Sequence, residues 1–364
     1  MKEKDDIFEY CMETSAGSIY AGKKYFFDFL RSQIYCINKN CVEKKIVIEE
    51  IEKQAHLFGT VLKKEPYFYI APNNGNRMIR YHCDEEKLDY IVLGKDYLMK
   101  DGYCHFTSGS VIENRLFLFS AKAEKVICFD TEKNAIDLID FSKEKIRTEA
   151  PLIRRSTVVE REIWTAEDGG NIVFIIDSKT LKVESIQLKE EIAIVDICYE
   201  KNEVFLLDLS GKIFSVDPKS RKEKFVVDTG RKKYGFIIKT ENWIWLIPQG
   251  AENIIKISEK QGVDEIKYPS DYKFANYCLK KGPRAFANII DQELYVYTLP
   301  RNNNYMIEID KIREEIYFKK IVYSRELRSQ IKEELFDNMV RKRKIEKETN
   351  GGLNLFLEIV KNRQ

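Results

Sequence analysis

A pair of small residues recurs along the chain, and a strongly apolar segment follows it each time. The pairs are Gly17-Ser18, Gly59-Thr60, Gly109-Ser110 and Ser156-Thr157, and in weaker form Val195-Asp196, Gly235-Phe236 and Ala287-Asn288. Successive pairs are 39 to 52 residues apart. A period of this size predicts an array of similar supersecondary units that stack on one another.

Within each unit, the hydrophobic and polar positions predict four strands. The second strand is almost continuously apolar, as at 67–70 and 116–119, which indicates burial on both faces. The third strand ends in a short polar residue such as Asp177 or Asp217, whose side chain can bond the backbone of the next turn. The fourth strand, for example 182–186, is short and charged, as expected of an exposed sheet edge.

These units predict an all-β fold, a seven-bladed β-propeller of four-stranded blades with a short C-terminal α-helical tail. The propeller is expected over residues 1–323, with units starting near 17, 59, 109, 156, 195, 235 and 287, and the tail over 324–364. The small pairs then lie on the innermost strands, where space around the axis is short. Asp196, Phe236 and Asn288 interrupt the small pairs and are expected to reach into the channel. How the ring closes stays open, because residues 7–11 suit either an extra strand or a helical turn.

One segment carries a resemblance to known repeats. Residues 210–217, Ser-Gly-Lys-Ile-Phe-Ser-Val-Asp, resemble the blade core of quinoprotein-like and YVTN-type propellers, and Gly169-Gly170 resembles the kelch doublet. The resemblance extends over about residues 15–323 at the level of the blade pattern. It implies a seven-bladed propeller but no named functional subfamily, and the Trp-Asp dipeptide of WD repeats is absent from the chain.

The charge balance bears on the kind of partner, and the N-terminal residues and cysteines bear on the cellular location. The 61 basic and 59 acidic residues leave a net charge of +2, which predicts neither a nucleic-acid nor a membrane partner. The basic run 341–344 is interpreted as a solvated helix end, since acidic residues follow it closely. The N-terminal residues lack an apolar leader pattern, and the eight cysteines form no CxxC pair. We therefore expect a cytoplasmic protein with reduced core cysteines.

The tail pattern predicts an amphipathic helix from residue 324 and a second short apolar stripe. The apolar positions of the two segments are Leu327, Ile331, Leu335, Met339 and Phe356. Such a stripe either docks on the propeller's own surface or binds a partner protein.

Few residues suggest chemistry. If the chain is an enzyme, His56 and His105 are the general acid or base and Arg155 is the anion clamp. The polar residues at the starts of inner strands form the predicted ligand-binding set: Arg154, Arg155, Asp196, Tyr234, Arg284 and Asn288. His56, His105 and Cys104 are residue types that bind metals, but neighbours on a strand such as Cys104 and His105 face opposite ways, so neither a metal nor another cofactor is expected.

The sequence favours a non-catalytic, cytoplasmic propeller scaffold that binds a protein through its faces and C-terminal helices. The alternative is an enzyme or small-ligand binder, a carbohydrate lyase, hydrolase or epimerase, acting at the mouth of the central channel. Converging polar side chains at that mouth would favour the alternative.

Overall fold

The computed structural model describes residues 12–28, 32–48, 58–99, 102–120, 126–139, 152–153, 155–188, 192–248, 253–258, 262–270, 286–327 and 330. These residues form seven antiparallel four-stranded sheets, which are the blades of a β-propeller. The predicted fold class is confirmed.

The blades follow one another along the chain, each running from the innermost strand to the outermost. Blade 1 comprises β1 (Met12–Tyr20), β2 (Lys23–Asp28), β3 (Gln33–Asn38) and β4 (Cys41–Val47). Blade 2 comprises β5 (Phe58–Lys64), β6 (Tyr67–Pro72), β7 (Arg77–His82) and β8 (Lys87–Val92). Blade 3 comprises β9 (Phe106–Ile112), β10 (Arg115–Ser120), β11 (Val126–Asp130) and β12 (Ala135–Ile139).

The remaining four blades repeat this order. Blade 4 comprises β13 (Thr157–Val159), β14 (Glu162–Ala166), β15 (Ile172–Asp177) and β16 (Val183–Gln187). Blade 5 comprises β17 (Ile194–Glu200), β18 (Glu203–Asp208), β19 (Lys212–Val216) and β20 (Glu223–Asp228). Blade 6 comprises β21 (Tyr234–Lys239), β22 (Ile244–Pro248), β23 (Ile254–Ser258) and β24 (Gly262–Ile266). Blade 7 comprises β25 (Phe286–Asp291), β26 (Tyr295–Asn303), β27 (Tyr305–Asp310) and β28 (Glu315–Lys320).

Burial divides each blade as the hydrophobic pattern predicts. The second strands are almost wholly buried; β10 and β18, for example, expose only the first residue in part. The fourth strands such as β8 and β24 are mostly exposed or half-buried. Each hydrophobic core cluster therefore lies between the faces of two adjacent blades, as between blades 4 and 5 where Trp164 packs near Phe214.

The small residues of the inner strands are required by packing against the neighbouring strands and blades. A Cβ at Gly59 would lie closer than 3.0 Å to the backbone carbonyl oxygen of Phe106 in the next blade. A Cβ at Gly17 would lie 2.7 Å from the Leu299 side chain of blade 7. The crowding is thus local, between adjacent strands and blades, and not at the axis as the sequence suggested.

The polar residues that end the third strands organise the following turns, as predicted. Asp177 Oδ1 accepts hydrogen bonds from the backbone N–H groups of Lys179 (3.0 Å) and Thr180 (2.8 Å). Asp130, Asp217 and Asp310 accept the equivalent pairs of backbone bonds in their own blades. These bonds lower the pKa of Asp177, because they favour its carboxylate.

We expect Asp177→Ala to lower the free energy of unfolding by about 1 kcal/mol at pH 7, since a turn loses its bonds to an ionised acceptor. Because the pKa of Asp177 is lower in the folded protein, this stabilisation is present above pH 4 or so and is lost as the pH falls through the folded-state pKa. Urea denaturation of the wild type and the variant between pH 3 and pH 7 measures this difference in the free energy of unfolding. Asp177→Asn keeps an oxygen acceptor, so its smaller loss should not vary with pH; an equal pH dependence in both variants would contradict the assignment.

The ring closes between blades 7 and 1 through two separate strand contacts. Strand β1 pairs with β26, with Met12 opposite Asn303. A short strand β29 (Val322–Tyr323) pairs in parallel with β4, and the backbone N–H groups of Val322 and Ser324 donate to the carbonyls of Asn40 (2.9 Å) and Val42 (3.0 Å). The chain thus closes by adding a fifth strand to blade 1. The candidate closing segment 7–11 lies outside the described residues.

Two general features complete the fold. All six cysteines in the described ranges are free, and five of them are buried: Cys36, Cys83, Cys104, Cys128 and Cys198. Burial raises the pKa of Cys128 to about 11 and that of Cys83 to about 12. In the same part of the chain, no helix is long and apolar enough to cross a membrane.

Candidate functional site

The central channel contains a cavity of about 370 Å³. Its wall is made by the inner strands of six blades: residues 16–18 of β1, 60–63 of β5, 109–111 of β9, 155–158 at β13, 197–198 of β17 and 288–292 around β25. The described residues of blade 6 contribute nothing to the wall. The wall includes Lys63 and Gln292 near the ends of inner strands, so the cavity extends toward the hairpin turns that follow those strands.

Arg155 lies beside β13 of blade 4, and its guanidinium group reaches the inner strands of blades 5 and 6. Its Nε donates to the carbonyl oxygen of Ile197 in blade 5 at 2.7 Å, and its Nη2 donates to that of Ile237 in blade 6 at 2.5 Å. Nη2 also lies 2.9 Å from Asp196 Oδ2. The guanidinium therefore covers the inner edge of blade 6, which explains the absence of that blade from the cavity wall.

Asp196 is the partner of Arg155 and is almost wholly buried, with 2% of its side chain exposed. Its Oδ2 accepts a hydrogen bond from the backbone N–H of Ile237 at 2.7 Å. Burial raises the pKa of Asp196 to about 6, although Arg155 and the amide donors oppose this shift. The carboxyl group is consequently ionised at neutral pH and tied to blade 6.

Arg155 and Asp196 each stabilise the charged form of the other. Burial opposes the positive charge of Arg155, but Asp196 more than offsets this effect, and the pKa of Arg155 lies above its ordinary value. Cys198, on the same wall, has its pKa raised by burial to about 12, so it is a neutral thiol. Arg155 and Asp196 thus form a latch across blades 4, 5 and 6; we use the name Arg155–Asp196 latch below.

The other predicted polar residues are dispersed. Asn288 lines the cavity, and its Oδ1 accepts from the backbone N–H of Ile289 at 2.9 Å. Tyr234 does not line it, because its hydroxyl donates to the carbonyl of Asn253 at 2.9 Å. His105 is half-buried just before β9 and is not part of the wall. His56, Arg154 and Arg284 lie outside the described residues, so their part in a site stays a prediction.

The residues that interrupt the small pairs behave differently from one another. Asp196 turns toward blade 6 as part of the latch, and Phe236 is 3% exposed in the core between blades 6 and 7. Only Asn288 reaches the cavity wall. The expectation that all three enter the channel is wrong for the first two, because alternate residues of an inner strand face the neighbouring blades.

The first turn of the tail packs on the propeller itself. Leu327 is 9% exposed and belongs to the core cluster that contains Tyr323 and Val42 of blade 1. Its side chain is therefore covered by the chain's own residues. The other predicted partner-binding positions, Ile331, Leu335, Met339 and Phe356, lie outside the described residues.

Sequence reasoning gave the polar wall of the cavity too little weight. The wall includes five hydroxyl residues of the recurring pairs, whose small size the sequence pattern explains primarily by packing: Ser18, Thr60, Ser110, Ser156 and Thr157. The signal was the alternation of glycine with a hydroxyl residue, since glycine meets the packing need and the hydroxyl brings a hydrogen-bonding group. Ser110 Oγ and Ser156 Oγ lie 2.7 Å apart across two blades.

Within the described ranges, no group of three or more His, Cys, Asp or Glu residues is placed to hold a metal ion.

The architecture defines the class of protein, a seven-bladed β-propeller, and solved structures of other propellers are similar to it. Virginiamycin B lyase from Staphylococcus aureus is 12% identical, with a TM-score of 0.63 over 80% of this chain and 93% of that one. A streptogramin B lyase structure is 13% identical, with a TM-score of 0.62 over 85% and 95%. YCF48, in a structure with a D1 peptide, is 12% identical, with a TM-score of 0.58 over 80% and 91%.

No family model matches the chain, and no curated protein matches it. At such identities the structural likeness shows the fold alone. The similar propellers include both a lyase and a peptide-bound protein, so the fold is compatible with catalysis and with binding.

Proposed function

We propose that the chain is a non-catalytic scaffold that binds another protein at its rim. The observation that carries this proposal is that three consecutive blades each expose apolar side chains on their outer strands, although Phe225 and Val263 are similarly exposed on the outer strands of blades 5 and 6. We call the exposed apolar set of the three consecutive blades the rim surface: Val47, Tyr90, Val92 and Leu138. Val92 is 65% exposed, and apolar groups gathered on neighbouring strands, unlike single scattered ones, are typical of a surface that binds a partner.

The latch supports the non-catalytic part of the proposal. Nε and Nη2 of Arg155 are occupied by two backbone carbonyls and by Asp196, so only Nη1 has no partner among the described residues and a two-pronged clamp on a substrate anion is not formed. His105 stands away from the cavity wall. The described part of the predicted catalytic set therefore does not converge. A peptide-bound propeller among the similar structures gives a precedent at the level of the fold.

The position where the tail begins also supports the proposal. Strand β29 and Leu327 anchor it on blade 1, the first of the three blades that carry the rim surface. The first turn of the tail thus lies on a blade that also presents an exposed apolar group, Val47. A partner engaging both elements would gain from their linkage.

We expect the full-length chain, tagged and expressed in its own cells, to recover a partner protein that a tagged unrelated propeller does not. Val92→Ser with Leu138→Ser should reduce this recovery at least tenfold, because the apolar contact is lost. Leu335→Glu with Met339→Glu tests the tail in the same way. Quantitative mass spectrometry, followed by titration with the purified partner, measures the effects.

Leu209→Ser is the matched control, since Leu209 is 55% exposed but lies on blade 5. This variant should recover the partner as the wild type does. Equal recovery by all variants, or no protein enriched over the unrelated propeller, would overturn the proposal.

A further inference from the structure

The inner strands present unpaired backbone edges to the channel. Strands β5, β9 and β13 each lie at the end of a sheet and pair only with the second strand of the same blade. Their other edges carry N–H and C=O groups that no strand satisfies. The cavity wall is therefore rich in uncharged hydrogen-bond donors and acceptors, whatever the side chains are.

The Arg155–Asp196 latch provides hydrogen-bond partners for only a few of the backbone groups on the inner strands. Arg155 bonds the carbonyls of Ile197 and Ile237, and Asp196 bonds the N–H of Ile237. These contacts belong to blades 5 and 6. The inner-strand edges of blades 1 to 4 and of blade 7 also line the cavity.

Hydroxyl groups without partners add to the polar wall. Ser18 is 5% exposed and Thr60 is 7% exposed, and both line the cavity. Neither hydroxyl has a hydrogen-bond partner among the residues that the structure describes. Both residues line the cavity and neither hydroxyl oxygen is sealed from it, and because a hydroxyl donates and accepts, these groups favour a bound molecule that can do the same.

Every charged side chain of the described wall is neutralised by the protein. Lys63 pairs with Glu65 at 2.9 Å, and Asp291 pairs with Lys311 at 2.5 Å. Asp196 balances the charge of Arg155 through Nη2, and Nη1 of Arg155 has no hydrogen-bond partner among the described residues. A charged ligand would therefore enter a confined space without a free counter-charge.

We propose that the channel cavity binds a small uncharged molecule rich in hydroxyl groups, the size of a monosaccharide or a cyclitol. The backbone edges and the hydroxyls of Ser18 and Thr60 supply its hydrogen bonds. The aliphatic wall residues Leu62 and Ile289 contact its carbon faces. The cavity is near the lower end of the size range of small-molecule sites, about 300–1,000 Å³. This site is independent of the rim surface.

Titration calorimetry with the full chain tests the proposal. The probes are glucose, galactose, N-acetylglucosamine and myo-inositol, together with glucose 6-phosphate and glucuronate as charged counterparts. We expect saturable binding of at least one neutral probe and at least tenfold weaker binding of the charged ones. Thr60→Val removes one hydroxyl at nearly constant shape and should weaken the neutral probe about tenfold.

Thr165→Val is the matched control, because it makes the same substitution at a buried threonine that lies off the cavity wall. It should leave the affinity unchanged. Ser18→Ala serves as a second cavity variant, and thermal unfolding confirms that each variant is folded. The proposal is overturned if no neutral probe saturates, if the charged probes bind equally well, or if both cavity variants bind as the wild type does.

Discussion

Arg155→Met is expected to lower the free energy of unfolding by about 3–5 kcal/mol, the usual cost of removing one partner of a buried ion pair. Asp196 would keep its burial but lose its counter-charge, and the carbonyls of Ile197 and Ile237 would lose their donor. Equilibrium denaturation in urea at pH 7 measures the loss. The variant should fold but unfold at a clearly lower urea midpoint.

The pH dependence identifies the cause. The pKa of Asp196 is raised by burial to about 6, so its contribution to stability is present below pH 4 or so and is lost as the pH rises through 6. Loss of Arg155 raises this pKa further. The destabilisation by Arg155→Met should therefore be smaller at pH 5 than at pH 8.

Two further variants separate the pair from general packing. Arg161→Ala breaks an exposed ion pair with Asp177, and its cost should stay within about 1 kcal/mol. Adding Asp196→Leu to Arg155→Met removes the orphaned charge and should restore part of the stability. A loss with Arg155→Met that is independent of pH, and is not relieved by Asp196→Leu, would show that the charge pair is not its cause.

Gly59→Ala should be the second most damaging substitution, with a loss of about 3 kcal/mol, at the upper end of the cost of overpacking. The added methyl group would meet the backbone oxygen of Phe106, which cannot rotate away as a side chain does. Blades 2 and 3 would have to separate at their inner strands. Urea denaturation and the midpoint of thermal unfolding measure the effect.

Gly75→Ala is the matched control in the same blade. A Cβ there would have its nearest neighbour, Pro72 Cβ, at an ordinary contact distance of 3.8 Å. This variant should be neutral or gain up to about 1 kcal/mol, because alanine restricts the unfolded chain. Equal losses at both positions would mean that glycine acts through backbone conformation, not through the space between blades.

Local patterns were sufficient to predict the blades. The apolar second strands, the charged outer strands and the turn-forming role of Asp177 all depend on residues close together in the chain, which periodicity reveals. The number of blades follows from repetition of that pattern. Nothing about neighbouring blades is needed for these conclusions.

Contacts between blades could not be predicted in the same way. Arg155 donates to the backbone carbonyls of Ile197 and Ile237, which lie 42 and 82 positions further along the chain. Every residue has a backbone carbonyl, so the sequence cannot indicate which ones an arginine contacts. The direction of Asp196 depends on which face of an inner strand it occupies. Strand β29 was missed for a similar reason, since two residues are too short for an alternating pattern.

The position of β29 has a mechanical consequence. Neighbouring blades are joined by continuous backbone at six of the seven junctions, whereas blades 7 and 1 are held together by the pairing of β1 with β26 and of β29 with β4. Leu327 packs at this junction, after β29 has crossed onto β4. A load applied to the tail therefore acts on the one junction that can part without breaking the chain, and a pull strong enough to detach β29 would open the ring there first.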